Sequence, residues 1–384
     1  MTIYLDNAAT TRVCPEAVSA AVSAMTEDYG NPSSLHYLGT QAAVGLKANR
    51  AAVADALGCL PEEVFFTSGG TEGDNWAIAI AAALGKRTGR HIITTAVEHA
   101  AVLESLHALE RQDYEVTYLA PNRDGQISLS ELESSLRPDT VLASIMLVNN
   151  ETGAVEPVAE AAKLIKRLNP HTLFHTDAVQ GFLKIPFTPE ELGVDLLTVS
   201  GHKIGGLKGS GALFIRKGLN AVPLLWGGGQ ESGLRSGTEA TPQIAAFAAA
   251  CRVGKQKLEE HQKYLSGLKH YAVNTLAKTV PGLTIVSGEG APHICAISLP
   301  GYPSQMLVRD LSDHGICVSS GSACHKGKPS HVFAAMHLPP QVQMGILRIS
   351  FSPDNTEADI NALAEALLSI TQQRVPSGKL SYSR

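Results

Sequence analysis

The 384-residue sequence is poor in cysteine and has none of the short spacings that build a disulfide framework or a structural zinc site. Its six cysteines stand singly at positions 14, 59, 251, 295, 317 and 324, without a Cys-x-x-Cys pair. In a chain of this length, that pattern argues against a small disulfide-rich secreted fold and against structural zinc. We therefore expect a reducing compartment, and we predict no metal site.

The sequence also lacks an excess of basic residues, a basic leader and an apolar run long enough to cross a bilayer. Lys and Arg number 31 against 36 Asp and Glu, so the formal net charge is -5 and nothing suggests binding to nucleic acid. The apolar stretch 77–84 is far shorter than a membrane span, and residues 2–5 already have a strand-like pattern. We therefore expect a cytoplasmic protein without nucleic-acid or membrane partners.

What the chain does contain is a balance typical of a well-buried globular protein, with 44% hydrophobic and 17% charged residues. Its length exceeds one ordinary hydrophobic core, so two domains are expected. Helical and strand patterns alternate over the first part of the chain, which predicts an α/β fold with a large, mainly parallel sheet covered on both faces. A long helical pattern from about Pro242 to Leu276 then leads to a smaller α+β unit.

The predicted elements can be stated by residue range. Strands are predicted at 91–95, 115–119, 141–147, 173–175, 196–199 and 212–215, and in the second unit at 283–286, 293–298, 316–319 and 347–351. Helices are predicted at 15–28, 157–167, 304–313 and 356–371.

The most informative stretch is the Ser-Gly-His-Lys sequence at 200–203, which ends at Lys203. It follows a mostly apolar, strand-like run and precedes a glycine-rich segment at 205–211. A lysine placed at a strand end among small residues can approach a planar cofactor, and its amine forms a Schiff base with an aldehyde. Asp177, with Gln180 on another strand end, has the side chain that keeps a pyridine nitrogen protonated. Together they indicate pyridoxal 5'-phosphate (PLP) as cofactor.

Residues 65–75 form a strand pattern, a tight glycine turn and a helix start, with Ser68 or Thr71 in position to cap the helix. The free N–H groups and the dipole of such a helix start make an anion site that suits a phosphate. An ordinary capped helix is the alternative interpretation. No Gly-Lys-Ser/Thr ending is present, so the turn is not a Walker loop.

With these motifs in place, the chain resembles the NifS/IscS-type cysteine desulfurases, a class V group of the aminotransferase-like PLP enzymes, along nearly its whole length. The segments that match the family, in the family's order, are 4–11, 30–34, 67–75, 98–99, 148–153, 177–180, 200–203, 235–238, 319–324 and 347–350.

The resemblance implies the PLP-dependent fold type I architecture and a particular division of the chain. Residues 15–258 are expected to form the large PLP-binding domain, and residues 259–384 the small C-terminal domain, on which residues 1–14 would pack. The resemblance also implies a homodimer with shared active sites.

The resemblance further implies roles for the site residues. Lys203 would carry the cofactor and move the substrate's α-proton, Asp177 would hold the ring nitrogen, and His99 would stack on the ring and serve as an acid or base. Arg348 would bind the substrate carboxylate, and Asn150 would lie beside the PLP phenolic oxygen and the substrate. The remaining cofactor contacts implied by the resemblance are Gly70, Thr71, Asn150, Gln180, Ser200, His202 and, from the partner protomer, Thr238.

Cys324 decides which reaction the resemblance implies. It lies in a polar segment beside His325, Lys326 and Lys328, and nearby cations favour a thiolate. The family reaction converts L-cysteine to L-alanine, leaving a persulfide on Cys324 that is passed to a protein acceptor for iron-sulfur cluster or other sulfur-containing product assembly. Only four residues separate Cys324 from Pro329-Ser330, about two fewer than is usual, which argues against the usual iron-sulfur scaffold and suggests a specialised acceptor. A solvated run of charges without a role is the equally weighted alternative.

Two alternatives remain open from the sequence. A related PLP lyase acting on cystine or selenocysteine would not need Cys324, and a non-catalytic scaffold member would need none of the catalytic residues. The presence of Lys203, Asp177, His99 and Cys324 argues against the scaffold, and the polar surroundings of Cys324 argue against the lyase.

Overall fold

The computed structural model describes residues 2–321 and 330–373. Its helices are α1 (Pro15–Thr26), α2 (Tyr37–Leu57), α3 (Gly70–Gly85), α4 (Ala100–Glu110), α5 (Leu129–Ser135), α6 (Val158–Leu168), α7 (Pro189–Leu192), α8 (Thr241–Gln256), α9 (Leu258–Thr279), α10 (Ser304–Asp313), α11 (His331–Ala335), α12 (Pro340–Met344) and α13 (Glu357–Gln373). Its strands are β1 (Ile3–Tyr4), β2 (Val64–Thr67), β3 (His91–Thr95), β4 (Glu115–Leu119), β5 (Thr140–Ser144), β6 (Leu173–Asp177), β7 (Leu196–Ser200), β8 (Gly211–Ile215), β9 (Thr284–Ser287), β10 (Ile294–Ser298), β11 (Ile316–Cys317), β12 (Ser319–Ser320) and β13 (Ile346–Ser350).

The larger sheet has seven strands in the order β2-β8-β7-β6-β5-β3-β4. Neighbouring strands from β7 through β4 run parallel, whereas β8 is antiparallel to both β2 and β7. Strands β3, β5, β7 and β8 are buried at every position, as expected for a sheet covered on both faces, which confirms the predicted α/β class. The carboxyl ends of the parallel strands meet at one edge, where ligands bind in such sheets.

A second sheet of four antiparallel strands, in the order β12-β13-β10-β9, lies in the C-terminal part of the chain. The N-terminal segment joins this part, because β1 pairs with β11 and Leu5 is fully buried among its apolar side chains. The division into domains at residues 258 and 259 remains a prediction. None of the helices in the described ranges combines the length and the apolar character needed to cross a membrane.

Most predicted elements are confirmed to within a few residues, and β3, β4 and α10 have the predicted bounds. The long helical pattern at 242–276 does not form one helix. It is two helices that meet at Lys257, whose φ of -106° and ψ of 8° are not helical. Helix α8 packs against α1 and α2, whereas α9 packs against α13, so the two helices pack in different parts of the molecule. The predicted strand 316–319 is likewise two short strands, β11 and β12.

Candidate functional site

A cavity of about 340 Å³ opens at the carboxyl edge of the large sheet. The turns after β2, β3, β6 and β7 contribute to it, and so do the N-terminal segment and β13. The structure brings most of the sequence-predicted site residues to its wall, namely Gly70, Thr71, His99, Asn150, Asp177, Gln180, Ser200, His202, Lys203 and Arg348.

Lys203 reaches the cavity from a 3-10 turn, Gly201–Lys203, that directly follows β7. Its ammonium donates to the carbonyl oxygens of Ala8 at 2.6 Å and Ala9 at 2.9 Å. The N-terminal segment is held beside this turn, because Thr11 donates through its backbone N–H and its hydroxyl to the carbonyl of His202. A reactive amine is therefore positioned by peptide oxygens from the opposite end of the sequence.

Asp177 is the last residue of β6, and its side chain is buried beside His99. The backbone N–H of Val179 donates to its Oδ1 at 2.9 Å. Burial raises the pKa of Asp177, while the neighbouring His99 and Lys203 act in the opposite direction. His99 is the N-cap of α4, and its Nδ1 accepts from the backbone N–H of Ala101 at 3.1 Å, which leaves Nε2 as the ring nitrogen that can donate.

The other end of the cavity is built to receive an anion. Helix α3 begins after Gly69, whose φ of 151° favours glycine, and no side chain caps its first turn. The expectation that Ser68 or Thr71 caps this helix was wrong, because the Ser68 hydroxyl instead donates to Glu72 at 2.5 Å. The Ser200 hydroxyl is buried close to Gly69 and has no hydrogen-bond partner in the described part of the chain.

His202 lies at the same end, with its Nδ1 3.2 Å from the Thr10 hydroxyl. Burial lowers its pKa to about 4, and the charges of Lys203 and Lys208 act in the same direction. His202 is therefore neutral near pH 7 without an anion beside it and can donate one hydrogen bond through its second nitrogen.

Gln180 and Asn150 line the middle of the cavity. The Gln180 amide is oriented from both sides, because Nε2 donates to the Ala8 carbonyl at 2.9 Å while Oε1 lies 3.4 Å from His293 Nε2. Asn149 shapes the turn that presents Asn150. Its Oδ1 accepts from the backbone N–H groups of Glu151 and Thr152, each at 2.9 Å.

Arg348 projects from the buried strand β13 into the cavity wall. Its guanidinium donates to Asp6 Oδ1 and to the Asn150 carbonyl, each at 2.8 Å. Its Nε is buried without a hydrogen-bond partner among the described residues. The ion pair with Asp6 fixes the plane of the guanidinium, and a fixed plane is what recognition of a carboxylate requires.

Three further cavity residues were missed from the sequence: Asp74, Glu151 and His331. Asp74 is on α3 and fully buried, and one ligand atom each from Asp74, His99 and Asp177 lie within 4.8 Å of one another. Two carboxylates and an imidazole are also donors that a divalent cation accepts. For Asp74 the available signal was a carboxylate four residues after the helix start, just before the apolar run 76–84.

Two residues that the sequence predicts for the site, Thr238 and Cys324, are not among the residues described above. Thr238 is exposed and is not part of the cavity wall. Cys324, together with His325, Lys326 and Lys328, lies outside the described residues. Gly321, just before that stretch, reaches the cavity wall.

Comparison with known proteins agrees with this architecture. The aminotransferase class-V family model matches residues 3–363. A cysteine desulfurase of Trichormus azollae is 43% identical over 375 residues, which cover 97% of this chain and 93% of that protein. A solved NifS-like protein is 37% identical with a TM-score of 0.92, covering 97% of this chain and all of that one. SspA in complex with cysteine is 32% identical with a TM-score of 0.81, covering 92% of this chain and all of that one. The chain belongs to the class-V aminotransferase family.

Proposed function

We propose that the protein is a PLP-dependent cysteine desulfurase that converts L-cysteine to L-alanine. The observation that carries the proposal is the convergence of Lys203, Asp177 and His99 in one cavity that an uncapped helix start also lines. Relatives named cysteine desulfurase over nearly the whole chain support the reaction, and a neighbour solved with cysteine supports the substrate.

The residues present fit PLP. The orphaned Ser200 hydroxyl, the uncapped N–H groups at Gly70 and Thr71, and neutral His202 offer donors for a phosphate at one end. Asp177 lines the same cavity, where it suits a pyridine nitrogen. When bound there, PLP supplies an electron sink for carbanion chemistry at the substrate's α-carbon.

The chain's own groups then have separate tasks. Lys203 Nζ, released from the carbonyls of Ala8 and Ala9, takes the proton from the substrate's α-carbon and returns it later. Asp177 holds a proton on the ring nitrogen. Arg348 binds the substrate carboxylate, and Asp6 keeps its guanidinium in place.

We assign the sulfur step to Cys324. Its thiolate attacks the substrate sulfur, so that an S–S bond forms and the substrate's C–S bond breaks. The electron pair of the broken bond stays on carbon, which takes up a proton and leaves as alanine. Cys324 keeps the sulfur as a persulfide for transfer to an acceptor protein, either an iron-sulfur scaffold or a specialised acceptor.

The direct test is product analysis of the purified protein with L-cysteine, with and without a thiol reductant. Alanine and sulfide are expected in equal amounts when the reductant is present. Without it, alanine formation should stop after about one turnover per site, because the persulfide remains on the enzyme. L-Serine, which lacks sulfur, is the matched control and should give no alanine. Pyruvate and ammonia as the main products would refute the desulfurase proposal.

We also propose that two copies pair to form the working enzyme. Large apolar side chains are exposed along α1 and α2, including Met25 at 56%, Tyr37 at 72% and Val44 at 66%, and Trp226 is 85% exposed. The groove between α1 and α2 is lined in part by Tyr37 and Val44. Apolar surfaces of this kind mark interaction sites. Thr238 would then be free to reach the partner's phosphate site.

Replacing Val44 and Trp226 by glutamate is expected to convert the dimer to a monomer and to lower its PLP content, because charge would be buried in the interface. Light scattering should give twice the mass of one chain for the wild type and the mass of one chain for this variant. Leu168→Glu, on an exposed leucine of α6, is the control and should remain dimeric. A monomeric wild type with full PLP content would contradict the pairing.

A further inference from the structure

His293 is a buried histidine that has no role in the function proposed above. It directly precedes β10 in the second sheet, where its backbone carbonyl accepts from the N–H of Phe351 at 2.9 Å, and it is 1% exposed. His293 is not part of the cavity wall, but its Nε2 lies 3.4 Å from Oε1 of Gln180, which is. The second sheet therefore supports a cavity residue that follows strand β6 of the first.

The Ala8 carbonyl decides which way the Gln180 amide faces. A carbonyl oxygen only accepts hydrogen bonds, so the amide atom 2.9 Å from it is the nitrogen, and Oε1 is the atom that faces His293. The reversed amide would place two acceptor oxygens against each other. Because Oε1 also only accepts, Nε2 of His293 is the atom that carries the proton and donates it.

The state of the imidazole ring agrees with this assignment. Nδ1 is buried without a hydrogen-bond partner among the described residues, so a proton there would be an unsatisfied buried donor. Burial lowers the pKa of His293 well below its usual range, and nearby positive charges act in the same direction, those of Lys184, Lys269, Arg348 and Lys203. The ring is therefore neutral, with its one proton on Nε2.

This arrangement leaves one N–H of Gln180 for the cavity. Nε2 carries two protons, of which Ala8 accepts one, and no acceptor in the described part of the chain takes the other. The Ala8 oxygen also accepts from Lys203 Nζ at 2.6 Å, so the amide nitrogen and the reactive amine are neighbours around one oxygen. In PLP, the phenolic oxygen is attached next to the carbon that bears the aldehyde. It is therefore the cofactor atom that this N–H suits when the aldehyde is bound to Lys203.

We propose that His293 is a positioning residue: by donating from Nε2 to Gln180 Oε1, it holds the amide so that the second N–H of Gln180 is offered to the cofactor's phenolic oxygen. The effect on the cofactor rests on the proposed function, whereas the donor role of His293 does not. When the nitrogen that joins lysine to PLP loses its proton, the negative charge on the phenolic oxygen is no longer shared with that proton. A donor to the oxygen then stabilises the unprotonated form more strongly.

The first test reads the donor without activity and without the cofactor. In protein labelled with ¹⁵N-histidine, the NMR signals that disappear in His293→Gln identify this ring. Near pH 8 its two nitrogen shifts are expected to show a proton on Nε2 and none on Nδ1. His270→Gln, at an exposed histidine of α9, should remove a different pair of signals and is the control for the identification. A proton on Nδ1 with a bare Nε2, or a doubly protonated ring, would overturn the proposal.

The second test reads the bound cofactor by its absorbance as a function of pH. His293→Leu removes the donor, so the proton-dissociation constant of lysine-bound PLP should fall by about threefold to tenfold. His293→Gln supplies an amide N–H in place of the imidazole N–H and should stay close to wild type, as should the control His270→Leu. If His293→Leu does not fold, His293→Phe, which also lacks a donor, takes its place. A dissociation constant that is unchanged in the variant without a donor would contradict the proposal.

A double-mutant comparison shows whether the effect passes through Gln180. Once Gln180→Leu has removed the amide, adding His293→Leu should change the dissociation constant no further, because nothing is left to position. An equal effect of His293→Leu with and without the Gln180 amide would refute the proposal, as would a loss of stability without any change in the constant. A wild-type protein that binds no PLP would count against the proposed function instead, and the nitrogen shifts of the first test would then decide the donor role alone.

Discussion

Replacing Lys203 by alanine is expected to reduce alanine formation from cysteine by about 1,000-fold or more, because the residue proposed to move the α-proton is lost. Its ammonium is the cationic group that the carbonyls of Ala8 and Ala9 hold at the cavity. Borohydride reduction followed by peptide mass spectrometry should locate the bound PLP on Lys203 in the wild type and find none in the variant.

Lys208→Ala is the matched control, since Lys208 is exposed and lies five residues away, in the glycine-rich segment that follows Lys203. It should keep wild-type turnover and wild-type labelling. Covalent PLP on another lysine in Lys203→Ala, with turnover near that of wild type, would show that the site is wrongly assigned.

Replacing Cys324 by alanine is expected to lower alanine release by at least about 100-fold, which corresponds to about 2.7 kcal/mol of lost transition-state stabilisation. The variant should still bind cysteine and exchange its α-proton with solvent, because Lys203 and Asp177 are untouched. Deuterium uptake at the α-carbon and a thiol-reactive persulfide label measure the two halves of the reaction separately.

Cys59→Ala is the control for Cys324→Ala. Burial raises the pKa of the Cys59 thiol to about 12, so it has no thiolate near neutral pH and its loss should leave alanine release unchanged. A PLP lyase that does not need Cys324 would keep near wild-type turnover in Cys324→Ala. That outcome would replace the desulfurase proposal by the lyase.

Local sequence patterns were sufficient to predict the elements whose bounds depend on their own residues. Strands such as β3 and β4 carry apolar or β-branched runs bounded by turns, and their predicted bounds are confirmed. The break at Lys257 could not be predicted in this way. Helical periodicity continues through it, and only the packing of α8 and α9 against different partners separates the two helices.

The functional site, too, could be predicted only in part from local sequence patterns. Lys203 and Asp177 could be predicted to lie together because parallel strands end at one edge of a sheet. Asp74 could not, since a helical aspartate is normally solvated, and its burial beside Asp177 depends on how α3 packs on the sheet. The pairing of Arg348 with Asp6 joins residues 342 positions apart, beyond any local pattern.

The contacts from Lys203 and Gln180 to the first residues of the chain end on the peptide oxygens of Ala8 and Ala9. A systematic alanine scan would therefore pass over both positions, which are already alanine, and would report nothing about two of the acceptors that hold the reactive amine. The site depends on where the main chain places these two carbonyl groups. Only a change to the backbone itself, such as an ester in place of an amide, would reveal that dependence.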